Sequence, residues 1–254
     1  MKVYFGNITG VEEAINSMMM SKRTWTPDIA ADIRRVVSLC TDEKGAILSL
    51  DALEDLNSAD VEKFGDYVDK LVKYGIAYGH TTLLRFIDVS FIVEGLHRGA
   101  QDDFDSHAKR LDNRIVRSST RLARYEAGEI SDWYKSKIIT TEQAMEAIGV
   151  DIPDKIFKSD GTKFVKVPRG FIREDLKDDN DVRRGLYNLS IPSNFIFKVQ
   201  YPELCHIMQL RDASGHAHPE LQEMMEQIRE ILLDRFYELG ANLNKLQMEP
   251  GSHA

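Results

Sequence analysis

Arginines recur in one short segment of this chain at intervals that suit a helix. On a helix the spacings of four, three, four and three residues put every guanidinium on one face, whereas on a strand or in a loop the groups scatter. Guanidinium forks match phosphate oxygens, so one interpretation is a phosphate site with hydroxyl donors from residues 118–120. The other is a solvated helix face paired with acidic neighbours. The arginines are Arg110, Arg114, Arg117, Arg121 and Arg124.

A second candidate site is the segment Gly79-His80-Thr81-Thr82. Its glycine frees the backbone, and an imidazole and two hydroxyl groups follow directly. These groups suit a binding site at the junction between two elements. A hydrogen-bonded structural role for the histidine and threonines stays open as the alternative.

A third candidate is the segment 211–218, which holds one arginine and two histidines. Because it lies between two predicted helices, it can put Ser214 or His216 at a helix N-terminus, where anions are favoured. Helix capping and a surface arginine–aspartate pair are the alternative. The adjacent Cys205 and His206 project about 100° apart on a helix, so we do not expect a nucleophile and base there.

Predicted helices and strands position these groups. Apolar residues at helical spacing predict helices over residues 11–20, 30–40, 58–72, 202–212 and 219–239, the third capped by Ser58. β-branched and aromatic residues predict strands over residues 83–93, whose first turn could be helical and which Gly95 ends, and over residues 191–199. Between residues 126 and 181, frequent Gly, Pro, Asp and Lys predict an insertion or elaborated surface within a single domain of residues 1–254.

In chain order, these segments resemble the flavin-dependent thymidylate synthases. Members of that family carry Gly-His-x-Thr, then a strand, then R-H-R-x-x-S-x-x-x-x-S-x-R-Y, and later N-L-R-x-x-x-H-A ahead of the last helix. The resemblance covers residues 60–125 and 184–237. The matching segments are Tyr78 to Thr82, Ser90 to Gly95, Ile191 to Phe195 and, with one extra residue, Gln209 to Ala217.

The chain departs from the family at its central signature. Aligned on Arg124 and Tyr125, the signature keeps only the third residue of the R-H-R triplet, as Arg114. The serine two positions before the final arginine is Leu122, and the acidic residue two positions earlier is Thr120.

Further departures lie on either side of that signature. Extra residues precede Asp112, and a register with His107 as the triplet histidine stays open. Asn188 stands where family members have an arginine, although Arg183 and Arg184 lie one turn upstream.

The resemblance implies a role for each matched residue. Arg211 would stabilise the negative charge that develops on the uracil edge, which makes it both catalytic and substrate-binding. The other substrate-binding residues would be Thr120, Arg121, Leu122, Ala123, Arg124 and Arg184. The cofactor-binding residues would be His80, Thr82, Asn113, Arg114, Gln200, His206 and His216, with His206 where members have asparagine.

The same resemblance implies the reaction and the assembly. We expect an enzyme that methylates C5 of a pyrimidine nucleotide, dUMP to dTMP or a close variant, with FAD, NADPH and 5,10-methylenetetrahydrofolate. The departures leave two alternatives: an altered substrate or transferred group, such as hydroxymethyl, or a non-catalytic nucleotide-binding relative. The implied fold is α+β, with a small, largely antiparallel sheet packed against several helices, in a homotetramer that shares FAD sites.

Composition restricts the other classes of protein. With 33 basic and 41 acidic residues the net charge is -8, which counts against a nucleic-acid-binding module that uses the arginine segment. No apolar run is long enough for a membrane span, and the first residues lack a signal-peptide layout, so we expect a cytoplasmic protein. Two cysteines, Cys40 and Cys205, predict neither a disulfide framework nor a zinc site.

Overall fold

A computed structural model describes residues 1–105, 114–120, 125, 129–211 and 217–245, with only the backbone at 181 and 184. The chain forms two compact units. The larger unit comprises Val3–Ile92, Phe104–Ile115 and Ile196–Ala254, and the smaller unit comprises Met1–Lys2, Val93–Asp103 and Val116–Phe195.

Strands form two sheets in the described part of the chain. The strands are β1 (Lys2–Thr9), β2 (Asp88–His97), β3 (Arg114–Arg117), β4 (Lys155–Phe157), β5 (Lys163–Val167), β6 (Gly170–Arg173) and β7 (Pro192–Gln200). One sheet has the order β1-β2-β7-β3, and the other has the order β4-β5-β6. The second sheet is antiparallel, with Ile156 opposite Phe164 and Val165 opposite Ile172. The α+β class is therefore confirmed.

Helices make up most of the rest. They are α1 (Val11–Ser21), α2 (Pro27–Cys40), α3 (Leu50–Glu54), α4 (Ser58–Val72), α5 (Thr81–Leu84), α6 (Arg98–Asp105), α7 (Asp132–Lys135), α8 (Thr141–Ala147), α9 (Asn180–Arg184), α10 (Tyr201–Arg211), α11 (Pro219–Arg235) and α12 (Tyr237–Asn242). A π-helical turn, Lys73–Ala77, follows α4, and a 3-10 turn spans Glu174–Leu176. None of the described helices is both long and apolar enough to cross a bilayer.

The core of the larger unit follows from helical amphipathicity and from aromatic packing on the sheet. Helix α1 packs against α2, α4 and α5, and α10 packs against α5 and α11. Ile33 of α2 and Phe64 of α4 are buried, as their spacing predicts. On the sheet, Phe91 lies 6.2 Å from Phe5 and 5.5 Å from Phe197, measured between ring centroids. These contacts hold the strands and helices that carry most of the candidate site residues.

The predicted helices over residues 11–20, 30–40 and 58–72 are confirmed, with small differences at their ends. The helix predicted over residues 202–212 is confirmed as α10 up to Arg211, and residue 212 lies outside the described residues. Helix α4 begins at Ser58, but its cap is Asn57, whose side chain accepts a hydrogen bond from the Ala59 N–H at 2.9 Å. The single helix predicted over residues 219–239 is wrong, because Phe236 has a non-helical φ of -155° and separates α11 from α12.

The strand predicted over residues 83–93 begins and ends later than its sequence suggests. Residues 81–84 form α5, so the first turn of the predicted strand is helical, and the strand begins at Asp88. Gly95 does not end it: with φ +79° it lies within β2, and its N–H donates to Asn194 Oδ1 at 2.9 Å. Glycine adopts this φ without a Cβ clash, so the strand continues through it.

The described part of residues 126–181 lies in the smaller unit and contains α7, α8, the β4-β5-β6 sheet and the first residues of α9. The turn between β4 and β5 is closed by a backbone hydrogen bond, in which the Lys158 N–H donates to the Thr162 carbonyl at 2.9 Å. That this region is an insertion within a single domain stays a prediction.

Candidate functional site

The Gly79–Thr82 segment is held at the surface of the larger unit by a π-helical turn. Gly75 in that turn packs on Leu84 of α5 so closely that an added Cβ would lie 2.6 Å from Leu84 Cγ. Gly79 has a left-handed φ of +71°, which turns the chain into α5. His80 and Thr82 are consequently exposed and accessible to a ligand.

A cavity of about 740 Å³ lies beside Thr82, between α1, α2 and α5. Thr82 and Phe86 line it from α5 and the residues after α5, and Asn16, Trp25 and Arg34 line it from α1, α2 and the turn between them. The Trp25 indole N–H donates to Asn16 Oδ1 at 3.0 Å, which fixes the ring at the wall. A volume of this size is typical of small-molecule pockets, which combine apolar walls with a few polar groups.

The sequence predicted Thr82 as a site residue, but it did not predict the residues of α1, α2 and their connecting turn that line the same cavity. Asn16 and Trp25 belong to no motif, and the only available signal was a tryptophan placed between two predicted helices. Arg34 is held there by Glu12, with 2.9 Å between Arg34 Nε and Glu12 Oε1.

The arginine segment is described only in part, and there it is not helical. Arg114 and Arg117 lie on β3, so the scattered arrangement applies to them. Arg114 Nη2 lies 2.7 Å from Asp88 Oδ2, and Lys198 Nζ lies 3.5 Å from the same oxygen. Arg117 Nη1 lies 2.7 Å from Asp102 Oδ1. These carboxylates, distant in sequence, were not predicted as partners.

The candidates Gln200, His206 and Arg211 lie on β7 and α10 of the larger unit. Gln200 ends β7 and α10 follows at once, anchored by Tyr201, whose N–H donates to the Ile87 carbonyl at 2.8 Å. His206 and Arg211 are half-buried along α10.

Cys205 lies on the buried side of the same helix. Burial raises the pKa of its thiol to about 12, so the thiol is protonated at neutral pH and supplies no thiolate nucleophile. The hypothesis of covalent catalysis at Cys205 and His206 has no support from this geometry.

Of the predicted substrate segment 120–124, the structure describes Thr120, which belongs to the smaller unit. Thr120 is half-buried in a turn just after Ser118, whose N–H donates to the Asn194 carbonyl at 2.8 Å. Tyr125 packs edge-on against Tyr187, with ring centroids 5.1 Å apart. Several other candidates lie outside the described residues: His107, Arg110, Asn113, Arg121, Leu122, Ala123, Arg124, Ser214 and His216, together with the side chain of Arg184.

Asn188, which replaces the arginine of the family pattern, is engaged within the smaller unit. Its Oδ1 accepts hydrogen bonds from the Ser190 N–H at 3.1 Å and from Arg169 Nη1 at 3.3 Å. Arg169 also donates to the carbonyl of Glu129. Sequence reasoning missed Arg169, because it lies in a turn 40 residues from Glu129 and no motif includes it.

Comparisons with known proteins give one family and one fold. The family described as "Thymidylate synthase complementing protein" matches residues 23–236. No curated protein matches the sequence. A flavin-dependent thymidylate synthase ThyX from Helicobacter pylori, solved with FAD and dUMP, is 14% identical and covers 97% of this chain and 100% of its own, with a TM-score of 0.51.

Two further structures are similar. A second Helicobacter pylori ThyX structure with FAD and dUMP is 12% identical, covers 96% of this chain and 100% of its own, and has a TM-score of 0.53. The UMP/dUMP methylase PolB from Streptomyces cacaoi, bound with 5-Br dUMP, is 11% identical, covers 96% of this chain and 95% of its own, and has a TM-score of 0.52. At such identities the likeness shows the fold.

Proposed function

Because this chain belongs to the family of thymidylate synthase complementing proteins, the flavin-dependent thymidylate synthases, we propose that it methylates C5 of a pyrimidine nucleotide. The substrate is dUMP or a close variant of it. The observation that carries the proposal is the family match, which spans both the Gly79–Thr82 segment and Arg211. The family resemblance further implies a homotetramer in the cytoplasm, and both stay predictions.

FAD is the cofactor that the chain's residues fit. The 740 Å³ cavity offers the aromatic ring of Trp25 and the polar groups of Asn16 and Thr82, a combination that suits one part of a flavin dinucleotide. When bound, FAD supplies the hydride, with NADPH as reductant and 5,10-methylenetetrahydrofolate as one-carbon donor. The proposed FAD-binding residues are His80, Thr82, Asn113, Arg114, Gln200, His206 and His216.

Arg211 is the proposed catalytic residue. C5 of the uracil ring becomes nucleophilic when N3 and O4 carry negative charge, and a guanidinium at that edge stabilises this charge. The buried, protonated Cys205 is not needed, because no covalent adduct between the chain and the base is part of the proposal.

The nucleotide's sugar and phosphate are assigned to residues of the arginine segment and to Arg184. We propose that Thr120, Arg121, Leu122, Ala123, Arg124 and Arg184 bind them. Leu122 cannot donate the hydrogen bond that a serine would, and Asn188 brings no cation. These two replacements favour a second candidate function, in which the chain acts on a modified pyrimidine or transfers a hydroxymethyl group.

The product of the reaction distinguishes these functions. The purified chain is incubated with FAD, NADPH, 5,10-methylenetetrahydrofolate and either dUMP or UMP, and the nucleotide is analysed by mass spectrometry. A mass increase of one CH2 unit supports methylation, and an increase of one CH2O unit supports hydroxymethylation. An unchanged mass with both nucleotides, together with nucleotide binding, would leave a modified pyrimidine as the substrate or a non-catalytic relative.

Arg211→Lys tests the catalytic residue in the same assay. A point charge cannot reproduce the planar guanidinium fork, so we expect turnover to fall by at least about ten-fold while the fold is kept. Arg173→Lys is the matched control, since Arg173 is exposed on β6 and pairs with Asp175. Equal turnover in Arg211→Lys and the control would contradict the role of Arg211.

A further inference from the structure

Arg169 has a backbone conformation that is rare for its residue type. It lies between β5 and β6 with a φ of +72°, in the left-handed region that favours glycine. Side chains with a Cβ persist there only when the surrounding structure holds them, and such positions cluster at functional sites. The contacts of the Arg169 side chain therefore indicate what holds this conformation.

The Arg169 guanidinium is half-buried, and among the described residues its hydrogen bonds go to neutral acceptors. One bond goes to the Glu129 backbone carbonyl and the other to the amide oxygen of Asn188, the latter at 3.3 Å. Its Nε is buried and has no acceptor among the described residues. In that part of the chain no carboxylate oxygen lies within 4.0 Å of its nitrogens.

A half-buried cation without a carboxylate is costly, and buried polar groups are normally satisfied. Burial accordingly lowers the pKa of Arg169, while the charges of Glu129 and Glu142 act in the opposite direction. Of the five N–H donors of a guanidinium, the two bonds engage one each on Nη1 and Nη2. Those bonds orient the fork and leave donors for a further acceptor.

The remaining donors suit an anion, and the neighbour of Arg169 indicates which one. Asn188, which accepts a hydrogen bond from Arg169 Nη1 at 3.3 Å, stands where family members have an arginine, so Arg169 brings a guanidinium beside that position. We propose that Arg169 donates to the phosphate of the bound pyrimidine nucleotide. The identity of the nucleotide rests on the proposed function. The contact with an anion rests on the burial and hydrogen bonds of Arg169.

The affinity ratio between dUMP and deoxyuridine tests the contact, since the two ligands differ only in the phosphate. Affinities are measured by calorimetry with the full chain. In Arg169→Met the dUMP affinity should fall by about ten-fold or more, while the deoxyuridine affinity stays the same. The matched control is Arg173→Met, which removes an exposed arginine from β6 and should leave the ratio unchanged.

Two results of that experiment would overturn the proposal. An unchanged ratio in Arg169→Met means that Arg169 does not contact the phosphate. An equal fall in both affinities means that Arg169 only positions the surrounding chain.

Inorganic phosphate separates this proposal from the proposed function. Phosphate should raise the melting temperature of the wild type and not that of Arg169→Met. If dUMP and UMP do not bind but this difference persists, the pyrimidine substrate is wrong and the anion site stands; if phosphate stabilises both proteins equally, the anion site is wrong. Should Arg169→Met fail to fold by circular dichroism, Arg169→Lys provides the same comparison, with a weakened phosphate effect expected.

Discussion

At the scale of single residues, the arginines of this chain differ in what neutralises them. Arg114 and Arg117 face carboxylates at 2.7 Å, whereas Arg169 faces a carbonyl and an amide. Their spacing in the sequence could not separate these cases, because Asp88 and Asp102 reach them through the fold. Asn188 replaces an arginine of the family pattern, and in the structure its side chain accepts a hydrogen bond from Arg169 and orients that guanidinium.

Restoring an arginine at position 188 should therefore be harmful. Asn188→Arg removes the acceptor of Ser190 and Arg169 and adds a second cation beside a half-buried one. We expect the free energy of unfolding to fall by about 1–3 kcal/mol in urea denaturation. Leu189→Arg is the control, because Leu189 is 62% exposed. Equal stability of Asn188→Arg and wild type would show that these hydrogen bonds contribute nothing.

The two cysteines should be unreactive in the folded chain. Both are buried, and burial raises the pKa of each thiol, that of Cys205 to about 12. Only the thiolate is alkylated at a useful rate. Iodoacetamide at pH 8 should label neither cysteine in the native protein and both in urea, as read by peptide mass spectrometry. Rapid native labelling of Cys205 would restore it as a candidate nucleophile.

At the scale of elements, close backbone approaches position the cavity walls. Gly10, with φ +88°, caps α1 where an added Cβ would lie 1.7 Å from the carbonyl oxygen of Phe86, the residue that lines the cavity beyond α5. The start of α1 and the chain after α5 are therefore in direct contact.

Gly10→Ala should push these elements apart. We expect a loss of about 1–3 kcal/mol in the free energy of unfolding, from strain at the positive φ and from the clash, together with weaker FAD binding. Gly65→Ala is the matched control: it lies within α4 with nothing within 4 Å of the added Cβ, so it should stabilise the chain by about 0.5–1 kcal/mol. Similar effects of the two substitutions in chemical denaturation would contradict the contact.

Helices α2 and α4 are joined by ion pairs that should respond to acid. Asp32 Oδ2 of α2 lies 2.5 Å from Lys63 Nζ of α4. Arg35 Nη2 of α2 lies 3.0 Å from Asp32 Oδ1 and 2.8 Å from Asp60 Oδ1 of α4. Hydrogen bonds from Lys63 and Arg35 lower the pKa of Asp32 below 3.8. A lowered carboxyl pKa contributes stability above the unfolded-state pKa, and that contribution is lost as the pH falls through the folded-state pKa.

Asp32→Asn should consequently flatten the acid limb of the stability profile below pH 4. The effect should stay under about 1 kcal/mol, because the pair is exposed to solvent. The measurement is the free energy of unfolding between pH 7 and pH 2 in both proteins. An identical slope in the two would mean that these ion pairs contribute nothing to stability.

At the scale of the whole molecule, the sequence predicted what depends on local periodicity. Helices α1, α2, α4 and α10 and the strand after Pro192 follow from apolar spacing. The sheet β4-β5-β6 was not predicted, because its strands of 3 to 5 residues are too short and polar to show alternation. The cavity and the bonds of Arg169 depend on contacts between residues distant in the sequence, which no local pattern contains.

Binding of FAD rather than nucleic acid is the prediction for the whole chain. A net charge of -8 repels polyanions, while one dinucleotide needs only a local site, and the cavity beside Thr82 offers one. FAD at 100 times its dissociation constant should stabilise the chain by about 2.7 kcal/mol and raise its melting temperature by several degrees. Single-stranded RNA at low salt should give no shift. A salt-sensitive RNA shift without an FAD shift would instead favour the nucleic-acid-binding class.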